Sequence, residues 1–325
     1  MIWLTWRQHR REALFTLITL GVLAGIMVPT GLAMHTKYTD LGLPACRAAL
    51  GSASMITQTE AVANCESLGH QFQQQFGGLV FVAVLFVILP VLVGVFFGAP
   101  LVAREVEQGT HRLVWTQGVS RLHWGLVKFG LVGAITAVLA VGYALGVSWW
   151  FEPLVSASTG RLTYISFDVQ GIVPIAYTLF ALALGVFVGT YWNKVLPAMG
   201  IALVGFAVVR VAIEVLARPR YLPTQTLTFA PEGTQTPNPG SGDWVMSEGV
   251  RNAAGEMVLP DARIGPCPPG GCGSGGAGAG PGAYNWMEYQ PGDRFWTFQG
   301  IETGIFVLLT AALVYFAVRR LRTIA

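Results

Sequence analysis

The sequence predicts an all-α integral membrane protein. Six transmembrane helices are expected, with an N-terminal interfacial helix, a short cytoplasmic helix between the second and third spans, and a large external loop before the last span. Three observations carry this expectation. Hydrophobic residues make up 53% of the chain and charged residues only 11%, with a mean hydropathy of +0.55, outside the usage of soluble domains. Apolar runs of about twenty residues, the length that crosses a bilayer, recur along the chain. Basic residues gather beside those runs rather than on one face of a domain, so the net charge of +3 orients the chain in a lipid membrane and gives no nucleic-acid partner.

The chain opens with MIWLTWRQHRRE, where Trp3 and Trp6 stand among Arg7, Arg10 and Arg11, the composition of a helix lying at the headgroups. The first span is expected from Ala13 to about Ala33. Gly31 to Ala33 resembles a signal-cleavage site, but the apolar run is longer than the roughly 7 to 15 residues of a signal peptide. Residues 35–77 are polar, contain Cys46 and Cys65, and are expected to form an outer loop. The second span runs from about Leu79 to Phe97, with Pro90 expected to kink it.

A third span is expected over Phe129 to Trp149, ended by the aromatic belt of WWFEP. The fourth, Ile172 to about Val188, and the fifth, about Leu196 to Leu216, are separated only by a tight GTYWNKV connection, which completes a transmembrane bundle over residues 1–217. Residues 218–298 then change character. They hold the tract GPCPPGGCGSGGAGAGPG and scattered Trp, Tyr and acidic residues, so an extracytoplasmic loop or small domain with a flexible core is expected there. Residues 299–325 carry the last span and the tail RRLRTIA.

Arginine bias places both termini in the cytoplasm of a multi-pass plasma-membrane protein, with inner segments rich in arginine and outer loops acidic overall. All four cysteines then lie outside, where disulfides can form. Four cysteines allow three connectivities, and proximity favours pairing Cys46 with Cys65 and Cys267 with Cys272. No histidine lies near either pair, which argues against a metal site.

The chain has no GxxxxGK[ST] phosphate loop, HExxH, GxSxG or intramembrane Asp pair, so no catalytic residue and no cofactor is expected. Inside the fifth span, Arg210 and Glu214 stand at i, i+4 and are expected to form an intramembrane ion pair, either snorkelling together or lining a transport path. Glu302, at the outer end of the last span, is a candidate for the same cluster.

The most informative stretch is Gly98 to Lys128, GAPLVAREVEQGTHRLVWTQGVSRLHWGLVK, the longest charge-rich segment joining two closely spaced apolar runs. Gly109 can end a helix descending from the second span, Thr110 can cap a short new one over HRLVWTQ, and Ser120 can cap the third span. That short helix presents Leu113 and Trp115 beyond the bilayer, where this chain offers nothing to cover them. Either a partner covers Trp115 or it sits at the headgroups.

Ala103, Arg104, Glu105, Glu107, Gly109 and Thr110, followed by Ser120, Arg121 and Lys128, resemble the first inner loop of the membrane subunits of ATP-binding-cassette exporters of the type 2 class. The order of parts is similar as well, with a tryptophan- and arginine-rich N-terminal elbow, six spans and a large outer segment before the last. A departure is Gly118 and Val119, where that family often has a proline before its Ser-Arg pair.

The resemblance implies a permease subunit that forms a homodimer or heterodimer and docks a separate ABC ATPase subunit. Arg104, Glu105, Glu107, Gly109, Thr110, Arg112, Leu113, Trp115 and Arg121 would then form the coupling helix and its supports. The competing reading is a non-transporting receptor or assembly protein acting through its external loop.

Overall fold

The structure, a computed structural model, describes residues 2–50, 60–109, 120–157, 160–192, 194–229, 242–264 and 282–321. It is organised around one helix, α8 (Val173–Tyr191), apolar on every side and 78% buried in the protein. Around it stand the helices running to Glu107, α6 (Arg121–Ser156), α9 (Val195–Ala212) and α10 (Phe295–Leu321). These outer helices leave large apolar side chains exposed, among them Val138, Leu145, Val208 and Leu308, a surface suited to lipid and not to water. Five described segments are long and apolar enough to cross a membrane: Asn64–Glu107, Leu122–Ser156, Val173–Tyr191, Val195–Arg220 and Gly292–Leu321.

The N-terminal expectation needs correction. A single helix, α1 (Ile2–Asp40), runs without a break through the stretch expected to lie flat as an interfacial helix and on through the first apolar run. No Gly or Pro stands before Gly21 to separate the two. Residues 35–77 are also not a plain loop. Besides the end of α1, they form α2 (Leu43–Leu50) and α3 (Glu60–Phe76), fastened by a Cys46–Cys65 disulfide with Cα atoms 5.8 Å apart. Cys65, Leu68, Phe72 and Phe76 recur at helical spacing, so the helix buries Phe72 completely although its composition is polar. The WWFEP belt is corrected too. Helix α6 continues to Ser156, and Trp150 turns inward, 1% exposed, its indole N–H donating to Thr30 Oγ1 at 2.9 Å.

Pro90 sits inside α4 (Val80–Val93). Lacking an N–H, it leaves the Phe86 carbonyl without its helical donor, and the Tyr143 hydroxyl of α6 donates to that oxygen at 2.6 Å. The departure from α geometry comes one turn later, in a π turn over Gly94–Gly98, before α5 (Pro100–Glu107) resumes.

This π turn forms a close seam with α8. Gly94 and Gly98 pack on the backbone of α8 at Ala181, Leu182 and Gly185, while Gly185 and Gly189 of α8 pack on the backbone at Gly94, Gly98 and Ala99, so two small-xxx-small pairs bring the helices into backbone contact. A methyl group on Gly94 would lie 2.4 Å from the Ala181 carbonyl oxygen, and one on Gly185 would lie 2.3 Å from the Gly94 carbonyl oxygen.

The chain is mostly helical, as expected, but between the fifth and last spans, where a loop or small domain is expected, it departs from helix. The chain there forms a four-stranded antiparallel sheet, β1 (Gln225–Phe229), β2 (Trp244–Arg251), β3 (Met257–Pro260) and β4 (Tyr284–Gln290), in the order β1-β4-β2-β3. Its central strands, WVMSEGVR and YNWMEYQ, are rich in aromatic and β-branched residues suited to a half-buried pleat. Trp244 anchors the sheet to the bundle, its ring meeting Tyr164 edge-on at 5.5 Å on the short helix α7 (Tyr164–Val169).

Candidate functional site

Two sites emerge, at the ends of different helices. The first is the stretch from α5 to α6. Helix α5 buries Leu101, Val102 and Ala103 and turns Arg104 to the surface. Gly109 ends it at φ +69°, a left-handed conformation that only glycine adopts without strain, and donates its N–H to the Val106 carbonyl at 3.2 Å. On the far side, Ser120 caps α6 by accepting from the His123 N–H at 3.3 Å.

The two acids hold this stretch in place. Glu105 accepts from the Lys128 Nζ of α6 at 2.5 Å, a pair with little exposure, while Lys128 also lies 5.1 Å from the Trp124 ring centre. Glu107 Oε2 accepts from the Val195 N–H at 2.9 Å, placing a carboxylate at the N-terminus of α9, where both the orphan donor and the helix dipole favour it. Glu105 therefore ties α5 to α6 and Glu107 ties it to α9. Thr110, Arg112, Leu113 and Trp115 lie outside the described residues, as does the side chain of Arg121.

The second site lies at the other end of α8, below the sheet. Here the expected pairing of Arg210 with Glu214 is replaced. Arg210 forms an ion pair with Asp168 of α7, lies 3.7 Å from Glu302 of α10, and donates to the Tyr177 hydroxyl of α8 at 2.5 Å. The physical cause is a π turn over Ile213–Ala217, which begins just after Arg210 and distorts the turn that would align the two side chains.

Arg218, 1% exposed, completes the cluster. It donates to Glu302 from Nε at 2.9 Å and to Glu302 and Asp168 from Nη2, each at 2.8 Å. Tyr177 donates to Glu302 Oε1, and the Arg210 guanidinium lies 3.9 Å from the Tyr177 ring centre. Tyr221, just past this segment, donates to Glu302 Oε2 at 3.2 Å, and burial pushes its phenol well above the ordinary value, which keeps it a neutral donor.

Two arginines thus meet two carboxylates in a charge-balanced set contributed by α7, α9, α10 and the turn after α9, with a tyrosine of α8 at its centre. Beside it Gln299 of α10, fully buried, accepts from the Ile172 and Val173 N–H groups at 3.0 and 2.9 Å and donates to the Phe167 and Gln170 carbonyls, fixing the turn between α7 and α8.

Sequence reasoning found Arg210 and singled out Glu302, but missed Asp168, Tyr177 and Arg218. One signal was available: Arg210, Glu214 and Arg218 follow at four-residue steps. Among the described residues, no group of three or more His, Cys, Asp or Glu side chains could hold a metal ion. Cys267 and Cys272 lie outside the described residues.

A family described as ABC-2 membrane transporter related matches residues 17–218. That range spans the stretch from α5 to α6 and includes Asp168, Tyr177, Arg210 and Arg218. No curated protein and no solved structure is significantly similar to the chain.

Proposed function

The chain belongs to the ABC-2-related membrane transporters, and on that premise we propose that it is the permease subunit of an ATP-driven ABC exporter. It pairs with a second permease subunit, spans the plasma membrane six times with both termini in the cytoplasm, and draws its energy from a separate ATPase subunit. We assign the coupling role to residues 110–119, with Arg112, Leu113 and Trp115 as the residues that meet the ATPase between Gly109 and Arg121. The observation that carries this reading is the bracing of α5. Glu105 fixes it to α6 through Lys128 and Glu107 fixes it to α9 through the Val195 N–H, so a push on the intervening segment moves helices instead of bending a slack connector.

The test is Trp115→Ala, alone and with Leu113→Ala, in cells that also make the ATPase subunit. An aromatic anchor at an interface centre contributes about 2 kcal/mol or more, so the ATPase should be held roughly thirty-fold more weakly while the permease still inserts. Glu105→Gln and Glu107→Gln should instead lower substrate-stimulated ATP hydrolysis more than assembly, because they loosen the braces and leave the anchor intact. If Trp115→Ala changes neither copurification nor the hydrolysis rate, the coupling role is wrong. The ordered sheet supports a second reading, a receptor or assembly protein acting through residues 218–298, and independence from ATP would favour it.

A further inference from the structure

Arg210, Glu214 and Arg218 would share one stripe of an unbroken α-helix. The π turn over Ile213–Ala217 interrupts that stripe, and both arginines reach across to carboxylates on other helices, Asp168 on α7 and Glu302 on α10. Glu214 is left half-buried. Among the described residues it forms no ion pair, yet it lies within electrostatic reach of all four charges. Arg218 also keeps its Nη1 buried with no hydrogen-bond partner among the described residues, a donor in reserve.

Drawing α7 and α10 away from α9 would strand two guanidinium groups at membrane depth, a costly step unless another carboxylate replaces the ones withdrawn. Glu214 is the carboxylate in position to do so, since relaxing the π turn to α-helix places it one turn from each arginine.

We propose that the cluster is an exchange latch: Arg210 and Arg218 hold Asp168 and Glu302 in the closed arrangement described here and pass to Glu214 when the sheet end of the bundle opens. Opening then releases Asp168 and Glu302, the two arginines share the single carboxylate of Glu214, and the water that opening admits solvates the charge left over. The π turn serves as the hinge. Among the described residues Glu214 forms no ion pair in the closed arrangement and gains the arginines as direct partners only on opening, which separates this device from a static ion cluster.

The experiment uses the full-length chain in nanodiscs with Cys267 and Cys272 changed to Ser and the Cys46–Cys65 disulfide kept. A reporter thiol is introduced by Ser166→Cys, beside Asp168 on α7 at a position 7% exposed, and its reaction with a membrane-impermeant maleimide is followed at a fixed interval below the melting temperature. Asp168→Asn should speed labelling by about tenfold or more, the effect of one charge-assisted hydrogen bond lost from the closed state. Glu214→Gln should slow it by a similar factor, about tenfold, with no change in melting temperature, and Glu214→Asp should recover part of the rate.

Labelling of Glu214→Gln at the parent rate overturns the latch, and so does a parent chain that never labels, because it has no second state. Should Asp168→Asn fail to fold, the Glu214 variants decide alone, since they remove no ion pair or hydrogen bond seen in this structure. The measurement needs no ATPase subunit, so its outcome is separate from that of the coupling test.

Discussion

Replacing Gly185 with alanine tests whether the seam between α8 and the π turn is as close as the structure has it. The added methyl would lie 2.3 Å from the Gly94 carbonyl oxygen, 2.7 Å from the Ala99 nitrogen and 2.9 Å from the Gly98 carbonyl carbon. All three are backbone atoms, so no side chain can swing aside, and the helices must part by the better part of an ångström. Overpacking of this kind costs about 1 to 3 kcal/mol, and a backbone obstacle puts it at the upper end. Alanine returns about 1 kcal/mol through helix propensity, leaving a net loss of about 2 kcal/mol, or roughly 4 to 8 °C in melting temperature by the scaling for large domains.

Gly133→Ala in α6 is the matched control, because its methyl meets nothing within 4 Å and only the propensity gain remains. Tryptophan fluorescence of the detergent-solubilised chain, which has ten tryptophans, reads both midpoints. Equal midpoints for the two variants would refute the close seam and, with it, the account of why glycines stand on both sides of it.

The Pro90 repair predicts non-additivity. Tyr143→Phe should cost about 1 to 2 kcal/mol in the parent chain, where it leaves the Phe86 carbonyl unsatisfied, and close to nothing after Pro90→Ala restores a helical N–H to that oxygen; a cycle of melting midpoints checks it, and equal costs in both backgrounds would sink it. The cluster predicts which second mutation rescues Arg210→Ala. Asp168→Ala should recover part of the folded yield in detergent because it removes the carboxylate left behind, whereas Glu214→Ala should recover none, since no ion pair joins it to Arg210. Rescue by Glu214→Ala alone would restore the i, i+4 pair and remove the basis for the exchange latch.

Much of the fold was legible because a bilayer imposes a length and a composition that local sequence must satisfy. The runs around 79–97, 129–149, 172–188, 196–216 and 300–318 all appear as helices, most of them extended by several residues. The extensions have one cause. Hydropathy marks where lipid begins and ends, while a helix stops where a cap or a breaker stops it, as at Gly109 and Ser120. Polarity misled at α3, whose apolar stripe of half-buried Leu68, buried Phe72 and half-buried Phe76 is diluted by the polar residues between them. The sheet was hidden for a different reason, because β1 pairs with β4 and β2 with β4 across long Gly- and Pro-rich insertions, while β2 and β3 alone are joined by a short turn.

The two sites differ in how far sequence could reach them. Around α5 the decisive signals are local: a glycine that ends one helix, a serine that caps the next, and acids in the one charge-rich loop between close spans. Even there the sequence did not say that Glu107 would reach the N-terminus of α9, 88 residues away. The cluster below the sheet is assembled almost wholly from distant parts, with Asp168 50 residues from Arg218 and Glu302 a further 84 beyond it. An i, i+4 rule assumes an unbroken α-helix, and at Arg210 a π turn breaks that assumption. The rule therefore named a residue of the right site and the wrong partner. The charges themselves still pointed there: an arginine in the middle of an apolar run must find a carboxylate somewhere, and in this chain it finds two, on helices that the sequence places far apart.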